Sequence, residues 1–308
     1  MTETIELRAG AARAVIAPAI GGSIAAFEFD GRPILRPTPE QALAHGMVRS
    51  FACFPLIPFS NRIADATLHW AGRNYGLTRY VDAERHAIHG NGWQRAWGVT
   101  RRDASSVAIE LEHDASGARA LEWPFPYRAR QRFDLVARDA QTIRLTLELD
   151  IENTGNDAFP FGLGWHPYFV RDLETELGFA AGGVWHTDPS RLPTQLDAVP
   201  PKWNFDPPRP LGAAEIDNCF TGWRAPATVR WPTRKLAAEI TAAPVCDYLV
   251  VFVPPEESGG TSFFALERVT HMTDAFNRAG DGSATGTRVL APGACFSCTM
   301  GISVSRNG

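Results

Sequence analysis

The chain has 308 residues, 44% of them hydrophobic and 21% charged, with a formal net charge of −4 from 34 acidic and 30 basic residues. That balance gives no broad positive field for a phosphate backbone, which excludes generic nucleic-acid binding. The clearest apolar run, Tyr248–Val253, falls far short of the roughly 18–20 residues that span a membrane, so no membrane partner is expected.

In chain order, the N-terminus MTETIELRAG has no basic stretch leading into an apolar one, and no secretory leader is expected. Ala14–Ile16 and Ser23–Phe29 flank a Pro-Ala-Ile-Gly-Gly connection, and Asp30-Gly31 then turns the chain into Pro33–Leu35, all of it hairpin chemistry. Glu40–His45 alone suggests a helical turn or two. Val107–Glu112 and Arg128–Val136 alternate apolar with polar residues, and Thr142–Ile151 is the cleanest period-two strand. Thr228–Trp231, Leu236–Thr241, Tyr248–Val253, Ser262–Glu267 and Cys295–Val304 complete the set. Thr187–Pro210 holds seven prolines and reads as a long loop over a sheet. No composition break marks a linker. The expected architecture is all-β, one large antiparallel β-sandwich domain over residues 1–308.

Several chemistries lose their anchors. No GxxxxGK[ST], no GxGxxG between a strand and a helix, no HExxH and no GxSxG is present. Only Lys202 and Lys235 are lysines, one in the proline-rich loop and one in a polar turn, so Schiff-base chemistry has no placed amine. Cys53, Cys219, Cys246, Cys295 and Cys298 are dispersed and odd in number, as thiols of a reducing compartment are, and the expected location is cytoplasmic. The Cys295/Cys298 spacing puts its thiols on opposite faces of a strand, and the His86/His89 spacing is a weak metal signal. No metal and no cofactor are expected.

What remains is a set of polar groups stranded among apolar and turn-forming residues. Asn61-Arg62 closes the stiff segment Phe54–Ile63, where the plain structural role for Arg62 is an ion pair at the core's edge. His89 sits between Ile88 and Gly90 and shortly before Trp93; such a histidine is more often structural than functional. His166, in GLGWHPYF, is packed by glycines, proline and aromatics that can hold an imidazole neutral and fixed for proton transfer. Asp217 can cap a turn. Glu267 ends the apolar strand Ser262–Leu266, where a lone carboxylate is costly unless paired or functional. Spacing alone does not bring these residues together.

The segments FPLIPFSNRI, HAIHGNGW, GLGWHPYF, FD-x(10)-DNCF, ALERVTHMTDAFN and LAPGACFSCTMGISV, in that order, resemble the aldose 1-epimerase (mutarotase) family. The resemblance implies a mutarotase-type supersandwich with an open cleft for a small monosaccharide. It implies Glu267 as the base at the C1 hydroxyl and His166 as the acid at the ring oxygen. By the same resemblance His89 hydrogen-bonds near the ring oxygen and C1, Arg62 and Asp217 hold sugar hydroxyls, and Asn61 and Trp93 line the cleft. Two departures bear on sugar preference: Arg268 follows the carboxylate where many relatives have proline, and Thr187–Pro210 is loosely matched.

Mutarotation opens the C1–O5 bond, rotates the aldehyde about C1–C2 and recloses on its other face, so a base and an acid must act together, each supplying roughly 10²–10⁴-fold. One alternative is a hexose 6-phosphate as substrate, which needs a basic patch near C6; Arg268 and Arg85 are the arginines nearest the motifs in sequence. Another is a catalytically silent sugar-binding protein, which has no need of an acid/base pair. A glycosidase needs two carboxylates about 5–9.5 Å apart in complementary roles. The net charge of −4 fits a neutral sugar better than an anionic one.

Overall fold

Strand Thr142–Asn153 shows how the sequence builds the core. Ile143, Leu145, Leu147, Leu149 and Ile151 are each at most 1% exposed, while the alternating residues between them are half-buried. Each such side chain contributes about 1.5–3 kcal/mol on burial. A computed structural model describes residues 3–258, 262–278 and 282–306. In it Thr142–Asn153 lies within a nine-stranded sheet, between Tyr127–Ala137 and the C-terminal strand Cys295–Arg306. An eight-stranded sheet runs from Pro193–Asp197 through Gly183–Thr187, Ile216–Thr221, Tyr248–Val253 and Phe263–Val269 to Gly164–Trp165 and Pro55–Leu56. Tyr168–Val170 also pairs with Phe263–Val269. The pairings in both sheets are antiparallel, and together the sheets make the expected sandwich. A four-stranded meander, Ile5–Ala9 to Arg32–Pro33, packs alongside, with the expected Asp30-Gly31 turn at φ of 54° and 68°.

Glu40–His45 is helical, as its pattern implied. Among the described residues no helix is long and apolar enough to cross a membrane. Cys295 is exposed and Cys298 buried, on opposite faces of their strand.

Three local expectations need correction. Thr187–Pro210 is not one loop: Pro193–Asp197 and Phe205–Pro210 are strands, each at the edge of one large sheet. Proline cannot donate to a ladder, but an edge strand has a side that needs no donor, so the proline-rich composition hid the pairing. The strand carrying Glu267 does not stop there; it runs on to Val269, and Glu267 sits inside the ladder opposite Val250. After the Asp30-Gly31 turn only Arg32–Pro33 pairs as a strand, and Leu35 makes an isolated bridge to Phe169.

Candidate active site

Register positions the central pair. Gly164 lies opposite Val269 and Trp165 opposite Arg268; three residues later Tyr168 lies opposite Ala265. One register runs through both pairings and places His166 across from Glu267. Pro167 has no N–H to give, which splits the strand into two short pieces at that point. His166 Nε2 lies 3.1 Å from Glu267 Oε1, with the two residues 6% and 2% exposed.

The period of two then sorts the neighbours. Trp165 and Arg268 face the nine-stranded sheet, where the Trp165 indole donates to Gln131 Oε1 at 3.4 Å. His166, Glu267, Tyr168, Phe252 and Asp217 fall on the opposite face, Asp217 opposite Phe252 and Phe252 opposite Ala265. There they floor a cavity of about 530 Å³ whose walls include Asn61, Arg62, His89 and Trp93. All seven residues singled out above line this one cavity.

The upper wall comes from two segments held together by backbone contacts. Arg62 pairs with Ile88, and Gly90 bridges Ile57. His89 and Gly90 are consecutive left-handed residues, with φ of 64° and 69°, and a Cβ on Gly90 would stand 2.1 Å from the Ile57 carbonyl oxygen. Gly90→Ala is therefore expected to cost about 3 kcal/mol, from backbone strain plus a clash with backbone that cannot move freely. Chemical denaturation would measure it, and an unchanged stability would show that this turn is not constrained as described. The segment after Glu267 braces the same wall from below. His271 Nε2 accepts the Ser60 N–H at 3.1 Å, and Asp274 Oδ1 accepts the Ala64 N–H at 3.0 Å.

Hydrogen bonding fixes what each ring can offer. The Asn61 N–H donates to His89 Nδ1 at 3.1 Å. A neutral His89 therefore carries its proton on Nε2 and is a donor. Burial, reinforced by His166 and Arg62, holds its pKa well below the usual histidine value, so the ring stays neutral. Trp93 spends its indole N–H on the Gly90 carbonyl at 2.9 Å and stacks on Phe54 at 5.5 Å, which makes it wall and not a hydrogen-bonding group for a ligand. Asn61 Oδ1 accepts from Arg62 Nη1 at 3.2 Å, and Arg62 also pairs with Glu84 at 3.0 Å. Asp217 pairs with Arg191 at 3.1 Å; burial raises its pKa, opposed by Arg62 and Arg191.

Burial drives both members of the central pair toward their neutral forms. It holds the Glu267 carboxyl well above the carboxylate range, with Asp217 adding to the effect, and pushes the His166 imidazole down to about 3, with Arg36 and Arg49 adding. At 3.1 Å the two groups are within reach of a direct proton transfer. Glu267 Oε2 and His166 Nδ1 are buried with no hydrogen-bond partner among the described residues.

His89, His166 and Glu267 also form a group whose ligand-type atoms lie within 4.8 Å of one another. The His89 tautomer argues against a metal there, because its Nε2 presents a proton and its Nδ1 lone pair is already engaged. His86, the other half of the weak metal spacing, accepts the Asp65 N–H at 2.9 Å and braces a turn instead.

Two arginines considered from the sequence lie elsewhere. Arg268 is fully buried beneath the site, its guanidinium 3.0 Å from the Trp223 ring centroid and donating to the Cys246 carbonyl, and burial brings its pKa down to about 9. It faces away from the cavity because it is one residue from Glu267 on a strand. Arg85 is exposed and pairs with Asp65 at 2.6 Å. Sequence reasoning missed Arg49, Phe54, Ile88, Tyr168 and Phe252 in the cavity wall, and Glu84 and Arg191 behind it. Tyr168 had a signal, since it is two residues from His166 and so shares its face. Arg49, Phe252, Glu84 and Arg191 lie outside every motif.

The chain matches the sequence profile of the aldose 1-epimerase family over residues 3–303. It is 32% identical over 288 residues to the uncharacterized protein YphB of Escherichia coli K12, covering 92% of this chain and 93% of that one. Its fold superposes with a TM-score of 0.86, at 29% identity and 99% coverage of both chains, on a candidate aldose 1-epimerase from Escherichia coli K12. A galactose mutarotase-like protein from Clostridium acetobutylicum shares the fold, with a TM-score of 0.84 at 17% identity and coverage of 98% of this chain and 95% of that one. The chain belongs to the aldose 1-epimerase family.

Proposed function

We propose that the protein interconverts the α and β anomers of an aldose by acid/base ring opening and reclosure, residues 1–308 acting as one domain and requiring no metal or nucleotide. The observation that carries this reading is the buried 3.1 Å contact between His166 and Glu267 on the cavity floor. Binding alone gives no reason to bury an acid and a base in contact, and a lone pair of this kind is costly unless used.

In the working form the shared proton is on His166 Nε2 and Glu267 is a carboxylate. Glu267 takes the proton of the C1 hydroxyl while His166 delivers its own to the ring oxygen; the C1–O5 bond breaks and C1 becomes a carbonyl. The pair is then the carboxylic acid and neutral imidazole that burial favours. After rotation about C1–C2 the transfers run backwards on the other carbonyl face. The proton count of the pair is the same at every stage, so no external acid or base is called on. Glu267 Oε2, which has no hydrogen-bond partner among the described residues, is the oxygen positioned to accept from the sugar. His89 donates from Nε2 toward the ring oxygen, and Arg62 and Asp217, steadied by Glu84 and Arg191, hold hydroxyls so that the reacting atoms stay in register.

Exchange NMR or polarimetry on freshly dissolved α-sugars tests this. Acceleration of anomer exchange over buffer is expected for at least one aldose. Sugar binding without acceleration would replace catalysis with a binding role on the same site.

A further inference from the structure

Asp217 and Arg62 stand in the same cavity wall, yet among the described residues they form no ion pair with each other. Arg62 gives Nε and Nη2 to Glu84 Oε2, at 3.1 and 3.0 Å, and Nη1 to Asn61 Oδ1 at 3.2 Å. The ion-pair partner of Asp217 is Arg191, which lies outside the cavity lining with its Nη1 3.1 Å from Oδ2. The Asp217 side chain is 18% exposed and that of Arg191 50%, so a buried acid is held by a cation at the rim.

A hairpin carries Arg191 to that place. Gly183–Thr187 runs antiparallel to Ile216–Thr221, so the connection after Thr187 emerges at the Asp217 end of that strand. Pro193–Asp197 then returns along the sheet edge. Within residues 188–192, Asp188 Oδ1 accepts from the Ser190 N–H, the Ser190 hydroxyl and the Leu192 N–H, at 2.8, 2.7 and 3.0 Å. The Arg191 N–H donates to the Asp188 carbonyl at 3.0 Å, and Arg191 itself is left-handed, with φ of 70°. A residue with a long side chain seldom takes that conformation, and here the hydrogen bonds of the tip impose it. Arg278 donates to the Pro193 carbonyl and ties the hairpin to the segment after Glu267. The tip is a fixed mount whose guanidinium meets one carboxylate.

We infer that Arg191 is a positioning residue for sugar recognition: it holds Asp217 Oδ2 from outside the cavity and leaves Oδ1 turned inward to accept from a sugar hydroxyl. The inference rests on the proposed function. With Glu267 at O1 and His166 at O5, C2 of the ring points away from His166, across the Tyr248–Val253 strand toward Asp217. A carboxylate accepts there with full strength only when it is ionised and its free oxygen faces the ring. Burial works against ionisation and raises the Asp217 pKa; Arg62 and Arg191 oppose that rise and Glu84 adds to it. Arg49, Glu267, His89 and His166 line the same cavity. Removing Arg191 therefore moves Asp217 protonation to higher pH and frees the carboxylate to rotate.

Saturation kinetics of anomer exchange, with an aldose the wild type accelerates, compares it with Arg191→Gln and Arg191→Lys between about pH 5.5 and 8. Arg191→Gln is expected to raise KM about five- to tenfold with kcat within about twofold, and to move the acid limb of 1/KM up by about half a pH unit. Arg191→Lys should recover part of both. Because Arg191 is half exposed, about 0.5 M salt should raise the wild-type KM and leave that of Arg191→Gln nearly unchanged. In an Asp217→Asn background Arg191→Gln is expected to change KM no further, since the group it acts through has lost its charge. A KM and acid limb untouched by Arg191→Gln, or an equal loss in the Asp217→Asn background, would overturn the inference while leaving the acid/base reading intact. A fall in kcat as large as the rise in KM would make Arg191 a general support of the fold and overturn it too. If no aldose is accelerated at all, this inference and the epimerase reading fall together.

Discussion

Glu267→Gln is expected to lower kcat by about 10²–10⁴-fold with KM changed by no more than a few-fold. The substitution keeps the shape of the side chain inside the Phe263–Val269 ladder, opposite Val250, but removes the group that can take a proton. His166→Asn is expected to do the same from the other side of the 3.1 Å contact. In the proposed mechanism the two act on one proton, so the double variant should lose little more than either single one; full additivity would mean that they work independently. Saturation kinetics by exchange NMR gives both parameters at once. A Glu267→Gln protein with wild-type kcat would remove Glu267 from the reaction.

The second large effect is on stability in mild acid. Burial holds His89 well below its usual pKa and brings His271 down to about 4. The unfolded chain protonates both near 6.5, so below that pH, and for His271 down to about 4, it binds protons that the folded chain refuses. A depressed histidine value therefore contributes stability that is complete above the unfolded pKa and is lost as the pH falls toward the folded one. Each such group costs about 1.4 kcal/mol per pH unit over this window. The central pair acts in both directions, since the lowered His166 weakens the fold on acidification while the raised Glu267 opposes that loss. Ion-paired carboxylates such as Asp172, whose pKa Arg234 lowers, lose their contribution only below the ordinary aspartate value. Denaturant titrations at pH 7, 6 and 5 should therefore show stability falling, with about 2 kcal/mol of the loss from His271 alone, so that His271→Gln has a shallower slope. A flat profile over that range would mean that these imidazoles are not held neutral in the fold.

Much of this was legible in the residues. Period-two alternation located the long strands, because a half-buried sheet forces apolar and polar side chains to alternate whatever the partner. The turn at Asp30-Gly31 was legible because few residues tolerate consecutive positive φ angles. Polar groups set in apolar or turn-rich segments marked Arg62, His89, His166, Asp217 and Glu267, since such groups are costly to bury without a use. Strands whose composition departs from that pattern were not legible. Pro193–Asp197 and Phe205–Pro210 looked like loop because edge positions admit proline.

What the sequence determined by itself was therefore a list of strands, the face on which each side chain would fall, and a set of polar groups needing partners. Which partners they found was decided only in three dimensions. His166 meets Glu267 because a single register spans the break at Pro167, and Arg268, though adjacent to Glu267, is turned beneath the sheet by the same pleat. Arg62 meets Glu84, and Asp217 meets Arg191, from segments with no common motif. Arg49 lines the walls of two cavities at once for a reason no local pattern records. Alternation fixes a side chain's face within its own strand, but ion pairs and cavities depend on which strands and loops lie side by side, and that is a property of the assembled sheets.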